Sequence, residues 1–241
     1  MCPKQRSTLP RMLRLTDMAN SRAAANVTLL GVRTSETRDG AEDLIFETSL
    51  GPNRARYHAA PASAPAILWV FGAGGGLGGP AGGLYERLAS RFVPQIASLQ
   101  LDYRHPGDLA SCVRDVLLGI EYLNSRGNWR VVLVGHSFGG AVVLNAAIAC
   151  SQVIAVAALS SQTFGAGDVA QISPRPILFA HGEDDEILPA SCSRTLFSQA
   201  REPKTLKLYP GCRHGLDDCR EQLDDDLEEW LANVLRSETN S

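Results

Sequence analysis

With 241 residues the chain is long enough to bury one sizeable core, and 44% of it is apolar, as in an ordinary globular domain. Its formal net charge of −3, from 23 basic and 26 acidic side chains, supplies neither a basic field for nucleic acid nor an acidic tail. The six cysteines are scattered with no Cys-x-x-Cys, which indicates neither a zinc site nor a disulfide framework; the spacing of Cys212 and Cys219 would still permit one bridge. No stretch reaches the ~18 apolar residues that span a membrane. The expected location is a reducing, cytoplasmic one.

Residues 1–26 carry Lys4, Arg6, Arg11, Arg14 and Arg22 against the single acid Asp17 and show no steady period. They read as a disordered extension or, if functional, an organelle transit segment. From residue 27 to 236 the pattern predicts one domain, with a flexible tail over 237–241. Val27 to Val32, Leu44 to Thr48 and Ala55 to Ala59 look extended, and Gly51-Pro52-Asn53 turns the chain between the last two. Ile67 to Phe71 is a short apolar strand, followed by a glycine-rich loop from Gly72 to Gly83 and then Leu84, Leu88 and Phe92 at helical spacing. Ile96 to Leu101 is the next strand. Asp108 is placed to cap a helix whose buried stripe runs from Leu109 to Leu123. Strands at Val131–Val134, Val153–Leu159, Ile177–Ala180 and Thr205–Tyr209 follow, with helices between them. The last helix carries Leu223, Leu227, Trp230, Leu231 and Val234 on one face; its acids, Asp224, Asp225, Glu228 and Glu229, read as a solvated surface. Strands alternating with helices call for a mostly parallel sheet with helices on both faces, the opening strands forming an antiparallel edge.

The chemistry centres on Gly135-His136-Ser137-Phe138-Gly139. A buried strand precedes this Gly-x-Ser-x-Gly and an Ala-rich helix follows, the context in which a sharp turn exposes a nucleophilic hydroxyl. A turn whose serine only caps the helix would give the same five residues. A serine hydroxyl needs a base, and the base needs an orienting group. His181-Gly182-Glu183-Asp184-Asp185-Glu186 begins where a strand ends, so its acids lie at the functional edge of an open sheet. Asp185 is the choice, with Asp184 and Glu183 as local rivals. Of the five histidines only His214, on the loop after the last strand, has the right place in a Ser…Asp…His order. A rival reading uses the glycine loop. Gly74 to Gly79 contains G-x-G-x-x-G after a strand, and Asp102 ends the next one, as in a dinucleotide site. With so many glycines between Gly72 and Gly83 the match is nearly free, and the loop comes too late in the chain to be a first βα turn.

Residues 44 to 236 resemble an α/β-hydrolase, and within that superfamily the small, compact serine esterases of the dienelactone-hydrolase-like type. Gly135-His-Ser-Phe-Gly-Gly140 is similar to the family elbow. His181-Gly182-x-x-Asp185-x-x-Leu188-Pro189 resembles its acid loop and selects Asp185. Gly211-x-x-His214-Gly215 resembles its histidine loop, and Asp102-Tyr103-Arg104 a common segment after the fourth strand. Where the family usually has His-Gly after its third strand, this chain has Phe71-Gly72. Dienelactone hydrolases themselves use cysteine, so serine at 137 points to ester chemistry. The resemblance implies an α/β-hydrolase fold with Ser137, Asp185 and His214 as the triad.

The oxyanion of acyl transfer needs two N–H groups already aimed at it. One is expected from Phe138, after the nucleophile; the family pattern implies Ala73 for the other. The 17 residues between Leu159 and Ile177 are too few for a helical cap. The expected cleft is open, bounded by Phe138, Leu77, Phe164, Leu188 and Leu216. The expected activity is hydrolysis of small acyl esters through an acyl-enzyme, with a small-molecule substrate and without metal or cofactor. Thioesterase, lactonase or peptidase activity on the same fold, or a non-catalytic binding protein, are the alternatives.

Overall fold

The computed structural model describes residues 27–38 and 40–237. The basic segment 1–26 and the tail after 237 lie outside the described residues. Nine strands form one sheet: β1 (Leu29–Arg38), β2 (Ala41–Thr48), β3 (Asn53–His58), β4 (Ala66–Val70), β5 (Ala97–Leu101), β6 (Val131–His136), β7 (Val153–Leu159), β8 (Ile177–Gly182) and β9 (Lys204–Tyr209). Their order is β1-β2-β3-β5-β4-β6-β7-β8-β9. β1, β2, β3 and β5 pair antiparallel; from β5 through β4 to β9 every pairing is parallel. This is the expected mostly parallel sheet with an antiparallel N-terminal edge.

The central strands β4, β5, β6 and β8 are buried along their whole length, which is why they read as continuous apolar runs rather than alternating ones. β1 runs further than its apolar start suggests. It continues through polar Thr34 and Glu36 because each pairs with β2.

Helices α1 (Pro80–Phe92), α2 (Leu109–Ser125), α3 (Phe138–Ala149), α4 (Ser191–Gln199) and α5 (Arg220–Ser237) cover both faces. One core layer joins residues of α2, α3 and α4 to the sheet; the other joins α1 and α5 to it. Asp108 caps α2 as expected, its side chain accepting from the Ser111 N–H at 2.7 Å. α1 opens with a left-handed turn at Ala81, Gly82 and Gly83 (φ 51, 59 and 92°), so its regular portion starts at Leu84.

The acids of α5 are not all a solvated surface. Asp224 is buried and takes a forked pair of hydrogen bonds from Arg87 of α1, at 3.0 and 2.7 Å, tying the two helices together. Glu228 pairs with Arg91 at 3.1 Å.

The chain leaves β4 toward β5 on one side and returns from β5 to β6 on the other. The strand order therefore reverses at β4 and β6, where an open α/β sheet has its crevice. The connection from β7 to β8 holds one four-residue 3-10 turn, Val169–Ile172. No helix among the described residues is long and apolar enough to cross a membrane.

Candidate active site

β6 ends at His136 and α3 begins at Phe138, so Ser137 alone makes the turn. It has φ 58° and ψ −121°, an unfavourable region for a residue with a Cβ. Its N–H donates to the Leu159 carbonyl at 2.8 Å. The flanking glycines are required by contact. A Cβ at Gly135 would stand 2.2 Å from the Gly139 oxygen, and one at Gly139 would stand 2.2 Å from the Phe71 oxygen. The elbow is thus pressed against the end of β4.

His214 lies on the loop between β9 and α5, with Nε2 3.1 Å from Ser137 Oγ and Nδ1 2.7 Å from Asp185 Oδ2. Asp185 follows β8, and its side chain has no exposed surface. Its Oδ1 accepts from the N–H groups of Ile187 (2.9 Å) and Leu188 (2.7 Å). Burial works to raise the carboxyl's pKa, but hydrogen bonds from Leu188, His214 and Ile187 outweigh it and hold the group below the ordinary aspartate value. The local rivals are occupied elsewhere: Glu183 pairs with Arg194 at 2.7 Å, and Asp184 is exposed.

The loop after β4 runs beside the nucleophile. A Cβ on Gly72 would meet Ser137 Cβ at 3.5 Å and its Oγ at 3.9 Å. Phe71, in the position where the family pattern has histidine, stacks on His136 with ring centres 5.4 Å apart, and its carbonyl accepts from the Tyr103 hydroxyl at 3.0 Å. Ala73 follows in this loop and is exposed.

Asp102, the acid of the dinucleotide reading, has its oxygens engaged within the protein. Oδ1 accepts from the N–H groups of Gly76 (2.7 Å) and Tyr103 (2.8 Å), and Oδ2 pairs with Arg54. It staples the glycine loop instead of facing outward for a ribose.

The expected pocket residues do not gather as a set. Leu216 has φ 60° and is fully buried in the core layer with Leu223 and Leu227; it bounds no cleft. Its left-handed backbone turns the side chain inward, which spacing cannot reveal. Leu77 lines a cavity of about 280 Å³ with Leu44, Ile45, Arg54 and Arg56 of the N-terminal strands. Phe164 is 83% exposed at the tip of the β7–β8 connection, Leu188 is half-buried, and Phe138 is buried with its ring edge-on to Tyr103.

Three further features complete the site, of which the sequence offered only the third, as a bridge that the cysteine spacing permits. His136 donates from Nε2 to the His214 carbonyl at 2.9 Å. Glu186 accepts from the His214 N–H at 3.2 Å. Cys212 and Cys219 form a disulfide, Cα atoms 5.6 Å apart, that closes the loop around His214. Proximity in sequence to Ser137, Asp185 and His214 was the available signal for the first two, though proximity alone names no partner.

Residues 83–230 match the model of the dienelactone hydrolase family, well over half of the chain. The chain belongs to that family. A stretch of 134 residues is 31% identical to the uncharacterized protein YfhR of Escherichia coli O157:H7, covering 46% of this chain and 47% of that protein. The chain thus spans about half the length of the curated relatives it matches. Among solved structures, the α/β hydrolase GrgF from Penicillium sp. sh18 superposes with a TM-score of 0.67 at 17% identity, over 81% of this chain and 98% of that one. Est1E from Butyrivibrio proteoclasticus gives 0.66 at 16% identity, over 86% and 99%. A dienelactone hydrolase from Anabaena variabilis gives 0.66 at 15% identity, over 80% and 98%. At these identities the likeness establishes the α/β-hydrolase fold.

Proposed function

We propose that the chain is a serine hydrolase that cleaves small acyl esters through an acyl-enzyme. The observation that carries the reading is the continuous line Ser137 Oγ, His214 Nε2, His214 Nδ1, Asp185 Oδ2, with gaps of 3.1 and 2.7 Å. Asp185 Oδ2 can only accept, so His214 Nδ1 carries a proton and Nε2 is free to take one from Ser137. In the proposed cycle His214 removes that proton as Oγ attacks the acyl carbonyl. The N–H groups of Phe138 and Ala73 hold the oxyanion, and protonated His214 gives its proton to the leaving alcohol. Water then repeats the route on the acyl-enzyme. Asp185 keeps the imidazole oriented and balances its charge.

Esters are favoured over amides because nothing in the site is arranged to position a poor leaving group. The family description and the Anabaena relative make lactones the second substrate class. The short β7–β8 connection favours short acyl chains, since each methylene gains only ~0.8 kcal/mol and only where it is buried. The test combines a fluorophosphonate probe with a p-nitrophenyl ester series from about two to sixteen carbons, run beside lactone, thioester and peptide panels. The expected result is labelling that disappears in Ser137→Ala and a kcat/KM that peaks at short chains. A folded protein that never labels would replace the enzyme reading with a binding one. A kcat/KM rising steadily with chain length would replace the open cleft with a deep tunnel.

A further inference from the structure

His181, which the triad does not use, is fully buried at the end of β8 and has both ring nitrogens engaged. Nδ1 lies 2.7 Å from the hydroxyl of Ser193, itself buried in the first turn of α4. Nε2 lies 2.9 Å from the Leu188 carbonyl and 3.0 Å from Asp185 Oδ2, the same oxygen that His214 contacts. The chemistry of the partners settles the tautomer. A carbonyl and a carboxylate only accept, so the proton sits on Nε2; Nδ1 then accepts, and Ser193 donates to it. Burial lowers the His181 pKa, so this is a neutral donor to a carboxylate and not an ion pair.

Asp185 therefore accepts three hydrogen bonds, from Ile187 and Leu188 on Oδ1 and from His214 on Oδ2, and His181 Nε2 stands 3.0 Å from that same Oδ2 with its one proton shared with the Leu188 carbonyl. Ile187 and Leu188 fix Oδ1. On Oδ2 the two imidazole nitrogens stand at 2.7 and 3.0 Å, so turning the carboxylate breaks these contacts. We infer that His181 is a positioning residue for the proposed reaction, holding Asp185 Oδ2 where His214 needs it and sharing its negative charge. The line of contacts then extends from α4 to the nucleophile: Ser193, His181, Asp185, His214, Ser137. A neutral donor on Oδ2 makes the carboxylate a weaker acceptor toward His214, so its loss tightens the grip of Asp185 on protonated His214. This inference rests on the triad reading above.

The test compares His181→Gln, whose amide nitrogen reaches about as far as Nε2, with His181→Asn, whose amide reaches only to the place of Nδ1. The expected result is a kcat within about threefold of wild type for glutamine and a fall of about 10- to 100-fold for asparagine, the scale of one hydrogen bond to a charged group, with KM little changed. The acid limb of the kcat/KM profile should also move to higher pH in the asparagine variant. The other titratable groups around His214 are His136 against its ring and Glu186 on its N–H, with Arg213 beside it held by Asp218. All are unchanged in both variants, so a shift reports on Asp185. Should the asparagine variant not fold, His181→Leu, which leaves no unpaired polar atom on its own side chain, takes its place with the same expectation. Equal rates and pH profiles for all variants, or equal losses in glutamine and asparagine, would overturn the inference. Fluorophosphonate labelling separates the two levels. A wild-type chain that never labels takes the triad reading and this inference down together, whereas a labelling wild type with indifferent variants overturns this inference alone.

Discussion

His136 donates its Nε2 proton to the backbone carbonyl of His214 at 2.9 Å, so the residue before the nucleophile holds the loop that carries its base. The two rings lie 4.9 Å apart, and Phe71 stacks on His136. Burial lowers the His136 pKa to about 4, which keeps the ring neutral and removes it as a competing base near the serine.

That burial has a measurable sign. Below the ordinary histidine value of about 6.5 the unfolded chain protonates at this position while the folded chain does not until about 4. Stability should fall as pH drops through that window, by up to about 3 kcal/mol from this residue. His181, shifted the same way, adds to the slope. His136→Gln retains a donor but does not titrate, so urea unfolding between pH 7 and pH 4 should show a shallower decline in the variant. Parallel curves would mean that His136 is protonated in the folded state.

Ser137→Ala should fold normally and lose ~10³-fold or more in kcat. Ser137→Gly should be equally inactive yet more stable by about 1 kcal/mol, because glycine tolerates the φ of 58° that a Cβ resists. Thermal melts of the two variants side by side read this difference directly. An alanine variant that melts with the glycine variant would remove backbone strain from the elbow.

Asp185→Asn should cost ~10⁴-fold in kcat by admitting the wrong imidazole tautomer, in analogy with serine proteases. Asp184→Asn should cost little, since that side chain is exposed. The depressed Asp185 pKa also gives a stability signature: the contribution is fully present above about 3.9 and is lost as pH falls through the lower folded value. The stability gap between wild type and Asp185→Asn should therefore close in acid. Reversal of the two kinetic results would move the orienting acid to Asp184.

Gly182 ends β8 against the histidine loop, and a Cβ there would lie 2.1 Å from the Cys212 oxygen. Gly182→Ala should destabilise by about 2 kcal/mol or more and depress activity by parting the acid and histidine loops. Gly74→Ala, with nothing within 4 Å of the added carbon, should change stability by less than about 0.5 kcal/mol. Similar melting temperatures for both would mean that the loops yield freely.

The Cys212–Cys219 bridge predicts that the mass of the intact chain rises on reduction and that Cys219→Ser loses about 2 kcal/mol of stability through loop-closure entropy. Denaturant melts with and without reductant check this, and a reductant-insensitive wild type would show that the pair is not bonded.

How much of this was legible in the residues follows from how local each constraint is. The elbow declared itself because Gly135 and Gly139 are forced by backbone atoms next to them in the fold, and the parallel strands because burial on both faces writes continuous apolar runs. Choosing Asp185 among adjacent acids needed the family pattern, since the deciding hydrogen bonds come from Ile187 and Leu188 N–H groups that any residue supplies. Long-range partners were invisible. Asp224 looked solvated because Arg87, which buries it, is 137 residues away in sequence. Leu216 looked like a pocket wall because only its backbone angle turns it into the core. His181 looked like the start of an acid loop because i, i+4 spacing brings side chains together on a helix, and here the pair meets between the end of β8 and the loop after it.

The connection from Ser160 to Pro176 suggests where this scaffold can be extended. Asn145 holds its middle through the Gly165 carbonyl at 2.6 Å, and Gly167 packs against Asn145 and Ile148, while the tip at Thr163 and Phe164 stands free in solvent. Loop length costs entropy only logarithmically, and exposed tips accept inserted sequence. A helical hairpin grafted at that tip would leave the turn that carries Ser137 and the loops that carry Asp185 and His214 unaltered in sequence. The same chain thus offers a seat for a designed cover, and substrate choice could be built there independently of the chemistry below.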